Sequence, residues 1–232
     1  MPHAPNQDTR TVRRLRRGIG FVAIVLPVAV TIGNAVIDGH VRLLGSVSGA
    51  YYTGMRDVFV GSMAAIGIFL LIYRHAKIDD VLSNLGGVSA LVVALFPAKE
   101  INTDIPQTEK IIGIVHLAAS TLMFLIMAIF CFFVFTRPDV RMDKSDLPQS
   151  KRVRNRLYVL SGWVLVLALA AGAAGSMYLP HDLMVKIEPM FWGEAIAIWA
   201  FGFAWLVKGD TIVPSSAGED IVPNKSNIAV SV

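Results

Sequence analysis

Charge is scarce in this sequence, and cysteine is nearly missing. Asp, Glu, Lys and Arg make up 16% of its 232 residues and hydrophobic side chains 54%. Soluble domains carry about 25% charged and roughly 45–50% apolar residues. The shift excludes a disordered chain and argues against a soluble globule. The one cysteine, Cys131, lies inside an apolar run, so no intrachain disulfide can form and a disulfide scaffold is excluded. Strict alternation of polar and apolar residues is also lacking, which disfavours an outer-membrane barrel. The G-x-S-x-G, P-loop, H-E-x-x-H and C-x-x-C patterns are absent. The net charge of +4 is no argument for nucleic acid, because the basic residues sit in blocks beside apolar stretches, as in membrane proteins.

What the chain has is long apolar runs. A bilayer core of about 30 Å needs roughly 20 apolar helical residues to cross it. Six stretches qualify: Gly18–Ile37, Tyr52–Tyr73, the short Val81–Pro97, Ile111–Phe135, Leu157–Leu179 and Met190–Val207. The expected fold is therefore all-α, a polytopic membrane bundle of six transmembrane helices over 18–207. A basic cytoplasmic segment, 1–17, precedes it, and a flexible cytoplasmic tail, 208–232, follows. Sixteen of the 21 Lys and Arg residues fall in the N-terminal segment, the 2–3 and 4–5 loops and the tail. That asymmetry places both termini in the cytoplasm, and the expected location is a bacterial inner (plasma) membrane. The first apolar run is longer than a signal-peptide core and has no clear cleavage site, so it reads as an uncleaved span. Small residues (Gly61, Ala64, Ala65 and Gly67 in span 2; Gly172 and Gly175 in span 5) mark helix contacts. Tyr73, Phe135, Tyr158 and Trp205 fall near the inner boundary, where an aromatic belt is expected.

Ionisable groups within a span are costly and are functional candidates by default. Asn34, Asp57, His116 and Glu194 share a depth, each roughly 5–8 Å below the outer boundary at 1.5 Å per residue. One outward-opening pocket accounts for all four. Its candidate lining is Asn34, Ser48, Arg56, Asp57, His116 and Glu194. Three chemistries suit such a set. Asp57, His116 and Glu194 are possible ligands of a divalent metal, zinc being favoured by the imidazole. The same groups are a candidate acid and base acting on a lipid head group. Or they form a structural network, with Arg56 paired to Glu194 or Asp57. The polar stretch Gly45–Gly61, which includes Ser46, Ser48, Tyr51, Tyr52 and Thr53, reads as a re-entrant or head-group-binding segment at the outer mouth.

Ser46-Val47-Ser48 before Asp57-Val58-Phe59, Asn84-Leu85-Gly86 opening span 3, Phe96-Pro97 closing it, and Ile114-Val115-His116 with Phe124 in span 4 resemble the Frag1/DRAM/Sfk1 group. They are similar also to bacterial multi-pass proteins of unknown function. The resemblance covers spans 2 to 4 best and implies a multi-pass membrane protein. A looser likeness links Ser48, Asp57 and His116 to the ceramidase and progestin-receptor type of zinc hydrolase. Glu194 stands where that type carries paired histidines. The leading expectation is a membrane protein that binds a lipid or small ligand through the outer pocket. The alternatives are a metal-dependent hydrolase of a lipid amide or ester, and a small-solute transporter. Transport is disfavoured because the inner halves of the spans lack acidic residues and histidine.

Overall fold

Each of the six apolar stretches is helical. The computed structural model describes residues 7–73, 77–98, 106–137 and 147–213. Helix α1 spans Gln7–Asp38, α2 Arg56–Ile72, α3 Lys77–Leu95 and α4 Gln107–Ile129. The last runs on into a π turn, Phe130–Val134. Helix α5 spans Gln149–Tyr178, α6 His181–Ile187 and α7 Pro189–Lys208. No strand occurs among the described residues. Four segments are long and apolar enough to cross a membrane: Arg10–Asp38, Gln107–Val134, Gln149–Tyr178 and His181–Lys208. Helix α2, with 17 residues, is shorter, because a separate 3₁₀ turn at Ser48–Tyr52 takes up the polar residues ahead of it. Most of the basic 7–17 segment is the first part of α1 rather than a separate arm.

The long helices run alternately up and down, as the bonds at their ends show. At the basic end, Arg16 of α1 donates to Lys208 O after α7 and to Tyr73 Oη after α2, both at 3.3 Å. There too, Arg137 meets Asp79 of α3 at 3.1 Å, and Lys151 of α5 donates to Phe135 O at 3.1 Å. At the far end, Tyr52 donates to Ala98 O at 2.6 Å. Around the bundle the order is α4, α3, α2, α1, α7, α5. Consecutive α4 and α5 close this ring only near the basic end, where the Phe132 and Trp163 rings meet edge to face at 5.5 Å.

Three glycine pairs let backbones approach. A Cβ on Gly20 would lie 2.8 Å from Gly202 O (α1 on α7), and one on Gly87 2.7 Å from Gly67 O (α3 on α2). A Cβ on Gly193 would lie 3.0 Å from Gly172 Cα, joining α7 to α5. Lipid offers no hydrophobic driving force, so such close backbone packing is what holds helices together in a bilayer. Gly67 and Gly172 are therefore contacts, as the composition of their runs implies. Gly61 is not: nothing lies within 4 Å of a Cβ built there, since α2 turns that face outward.

Pro27 interrupts α1 by lacking an N–H. The Trp199 indole donates across from α7 to Ile24 O at 3.0 Å, and Thr31 Oγ1 donates to Pro27 O at 2.8 Å. Near the basic end Trp205 packs against Tyr73, Phe130, Phe135 and Phe201, with ring centroids 5.0–5.9 Å apart. Tyr73, Phe135, Tyr158 and Trp205 are at most 1% exposed. They form an internal aromatic plug and not the interfacial belt expected of them. The π turn brings Phe130 and Phe135 inward together: Phe135 N–H donates to Phe130 O at 2.9 Å, while Phe133 faces out.

Candidate functional site

The loop after α1 is not a surface strap. Leu44, Val47 and Ala50 are buried in the core, so 44–52 folds back into the far end of the bundle, as its glycines and polar residues suggest. There Glu194, in the second turn of α7, accepts the Ser48 N–H at 3.1 Å and the Ser48 hydroxyl at 3.4 Å. Ser46 Oγ lies 3.1 Å from Ser48 Oγ and accepts the Gly49 N–H at 2.9 Å. A half-buried carboxylate is costly without partners; here the backbone and hydroxyls of the inserted turn supply them. Glu194 is held in reach because its neighbour Gly193 lets α7 lie directly on α5.

This polar group forms the mouth of a cavity of about 660 Å³ between α4, α5 and α7. The volume is within the roughly 300–1,000 Å³ range of ligand pockets. Ser46, Ser48, Lys110, His116 and Glu194 line its polar part. Below, the walls are Leu117, Thr121, Phe124, Leu125 and Ala128 from α4 and Leu165, Val166, Leu169 and Ala173 from α5. Leu117 is 62% and Leu125 56% exposed, so the cavity opens sideways between α4 and α5 as well as at the mouth. The gap exists because these two helices make few contacts with each other. From Gly113 to Ala128 the cleft runs about 22 Å along α4 at 1.5 Å per residue.

His116 is buried. Its Nδ1 lies 2.7 Å from Phe96 O, an atom that only accepts, so Nδ1 carries a proton, and in the neutral form of the ring Nε2 is the acceptor. The end of α3 thus fixes the imidazole against the cavity wall.

The remaining candidates are elsewhere. Asn34 is buried in α1 and donates to Asp38 Oδ2 at 3.0 Å; it does not line the cavity. Asp57 is exposed in the first turn of α2, outside the cavity, where a short carboxylate suits the helix dipole. Arg56 pairs with neither Asp57 nor Glu194. Its guanidinium donates to Tyr51 Oη at 2.7 Å and stacks 4.3 Å from the Tyr51 ring centroid. Of the four residues at equal depth, His116 and Glu194 line one cavity, together with Ser48 of the entrance segment, while Asn34 and Asp57 do not, because depth says nothing of direction around a helix. Among the described residues no three His, Cys, Asp or Glu side chains form a group able to hold a metal. The set Asp57, His116 and Glu194 is therefore not assembled as zinc ligands.

Lys110, Ser120 and Thr121 are polar cavity residues that the sequence reading did not single out. Lys110 was legible as a lone cation one residue before an apolar run; Thr121 carried no signal. Comparison of the chain with protein-family models, with curated proteins and with solved structures returned no match.

Proposed function

We propose that this chain is a six-span membrane protein that holds a membrane lipid in the cleft between α4 and α5. The single observation that carries this reading is the shape of the cavity: polar at its mouth, apolar along its length and open sideways. A soluble ligand gains nothing from a lateral opening, whereas a lipid enters through it without leaving the bilayer. The apolar exteriors of α4 and α5 and the basic end of the bundle support insertion with both termini in the cytoplasm. On that placement the mouth opens at the outer leaflet of a bacterial plasma membrane. The resemblance to the Frag1/DRAM/Sfk1 group rests on short motifs alone.

The test uses Thr121, which lines the cavity and is exposed, so a larger side chain there fills the cleft without touching the core. Wild-type protein purified in detergent is expected to retain phospholipid in stoichiometric amount, measured by mass spectrometry. Thr121→Trp, folded to the same melting temperature, is expected to lose it. Equal retention by both proteins, or none by wild type, overturns the proposal.

A further inference from the structure

In a bilayer the acyl chain gains little by entering the cleft, since lipid tails are as apolar as the leucines that line it. Selectivity has to come from the mouth, where the described residues supply one charge of each sign. Glu194 supplies a carboxylate and Lys110 an ammonium to the same cavity. We infer that the occupant is a zwitterionic phospholipid with a primary ammonium, an ethanolamine-type head group. Its ammonium sits at Glu194 and Ser48, and its phosphate at Lys110. This inference rests on the lipid-cleft reading above.

Three features choose this head group over others. A carboxylate has about four lone-pair sites; the Ser48 N–H and hydroxyl use two and the Val47 N–H also faces it, which leaves room for an N–H donor from a ligand. The serine hydroxyl oxygens and the His116 ring add polar groups to the same cavity. A primary ammonium, with three N–H groups, satisfies such acceptors; a quaternary ammonium donates nothing and is recognised instead by aromatic faces. Among the described residues, the one Phe, Tyr or Trp lining the cavity is Phe124. It lies about 12 Å further along α4 than His116, at 1.5 Å per residue, so the mouth has no aromatic cage. An anionic glycerol head group lacks a cation for Glu194 altogether and would bring a second negative charge beside it.

The test varies the ligand first, so that no variant need fold. Delipidated wild-type protein in detergent is offered phospholipids of identical acyl chains whose head groups are ethanolamine, its N-methyl and N,N-dimethyl forms, choline, and glycerol. Retention is read by native mass spectrometry. Affinity is expected to fall stepwise along the methylation series. The total from ethanolamine to choline is about tenfold, as loss of a charge-assisted hydrogen bond implies. Glu194→Gln is expected to flatten the series, and Lys110→Ala to weaken every phospholipid alike. A flat series in wild type, or a preference for the glycerol head group, overturns the head-group assignment while leaving the lipid cleft standing. Failure of every lipid to bind, or equal binding to Thr121→Trp, overturns the cleft itself.

Discussion

Asp210 is one carboxylate that two helices share. Its carboxylate forms ion pairs with Arg13 of α1 and Arg154 of α5, each at 3.1 Å, and the residue sits in the left-handed region at φ 56°. Arg154 is 2% exposed, so loss of the opposing charge strands a cation away from water. Asn adopts the left-handed conformation as readily as Asp, so Asp210→Asn isolates the charge. It is expected to cost about 3–5 kcal/mol, the usual penalty for breaking a buried pair, read as a drop in thermal stability of the detergent-purified protein. Asp57→Asn is the control: exposed surface changes stay within about 0.5 kcal/mol. A stable Asp210→Asn protein would show that the pair is solvated. In the sequence Asp57 stands out as a candidate because it is an acidic group within an apolar run. Asp210 lies just past the last run, and nothing local marks it as the partner of two arginines so far back in the chain.

At the scale of elements, the helices were legible and their pairing was not. Apolar length and the absence of alternation are local properties, and all six stretches are helical within a few residues of where they were placed. The short α6 was missed, since its seven residues bury no side chain and leave no periodic signature. The π turn was missed because FCFFV reads as simple apolar filler. Which glycine meets which depends on helix rotation, a long-range property. The pairs make a sharp prediction. Gly193→Ala puts a methyl 2.8 Å from Ala168 O, a backbone atom that cannot swing away. Overpacking of this kind costs about 1–3 kcal/mol, so a lower melting temperature is expected. Gly61→Ala, with open space at its Cβ, is expected to leave stability unchanged or slightly raised. Equal melting temperatures for the two variants would contradict the α5–α7 packing.

For the whole molecule, the testable property is sidedness. Ser48, attractive as a labelling position from its loop context, is buried and bonded, while Thr103 and Ser145 lie outside the described residues. Lys186 on α6 and Gln149 at the start of α5 are exposed, one at each end. Native Cys131 is fully buried and should stay silent. In intact cells Lys186→Cys is expected to react with a membrane-impermeant maleimide, and Gln149→Cys only after lysis. The reverse pattern would invert the proposed orientation and move the cleft mouth to the inner leaflet. The candidate site was legible in part for the same reason as the fold. Burying a carboxylate and an imidazole in an apolar run is rare enough to notice, but the cleft itself is a gap between two helices, and no residue encodes a gap.

Helix α7 packs against both α1 and α5, and the Gly20–Gly202 and Gly172–Gly193 approaches both depend on it. It is also the last of the described helices to leave the ribosome. Until it arrives, α1 and α5 sit in the membrane with nothing between them, their glycine grooves open to lipid. Biogenesis of this bundle therefore cannot proceed hairpin by hairpin to a finished product. Helix α1 waits for α7, and a chain that lacks α7 leaves both glycine approaches unmade.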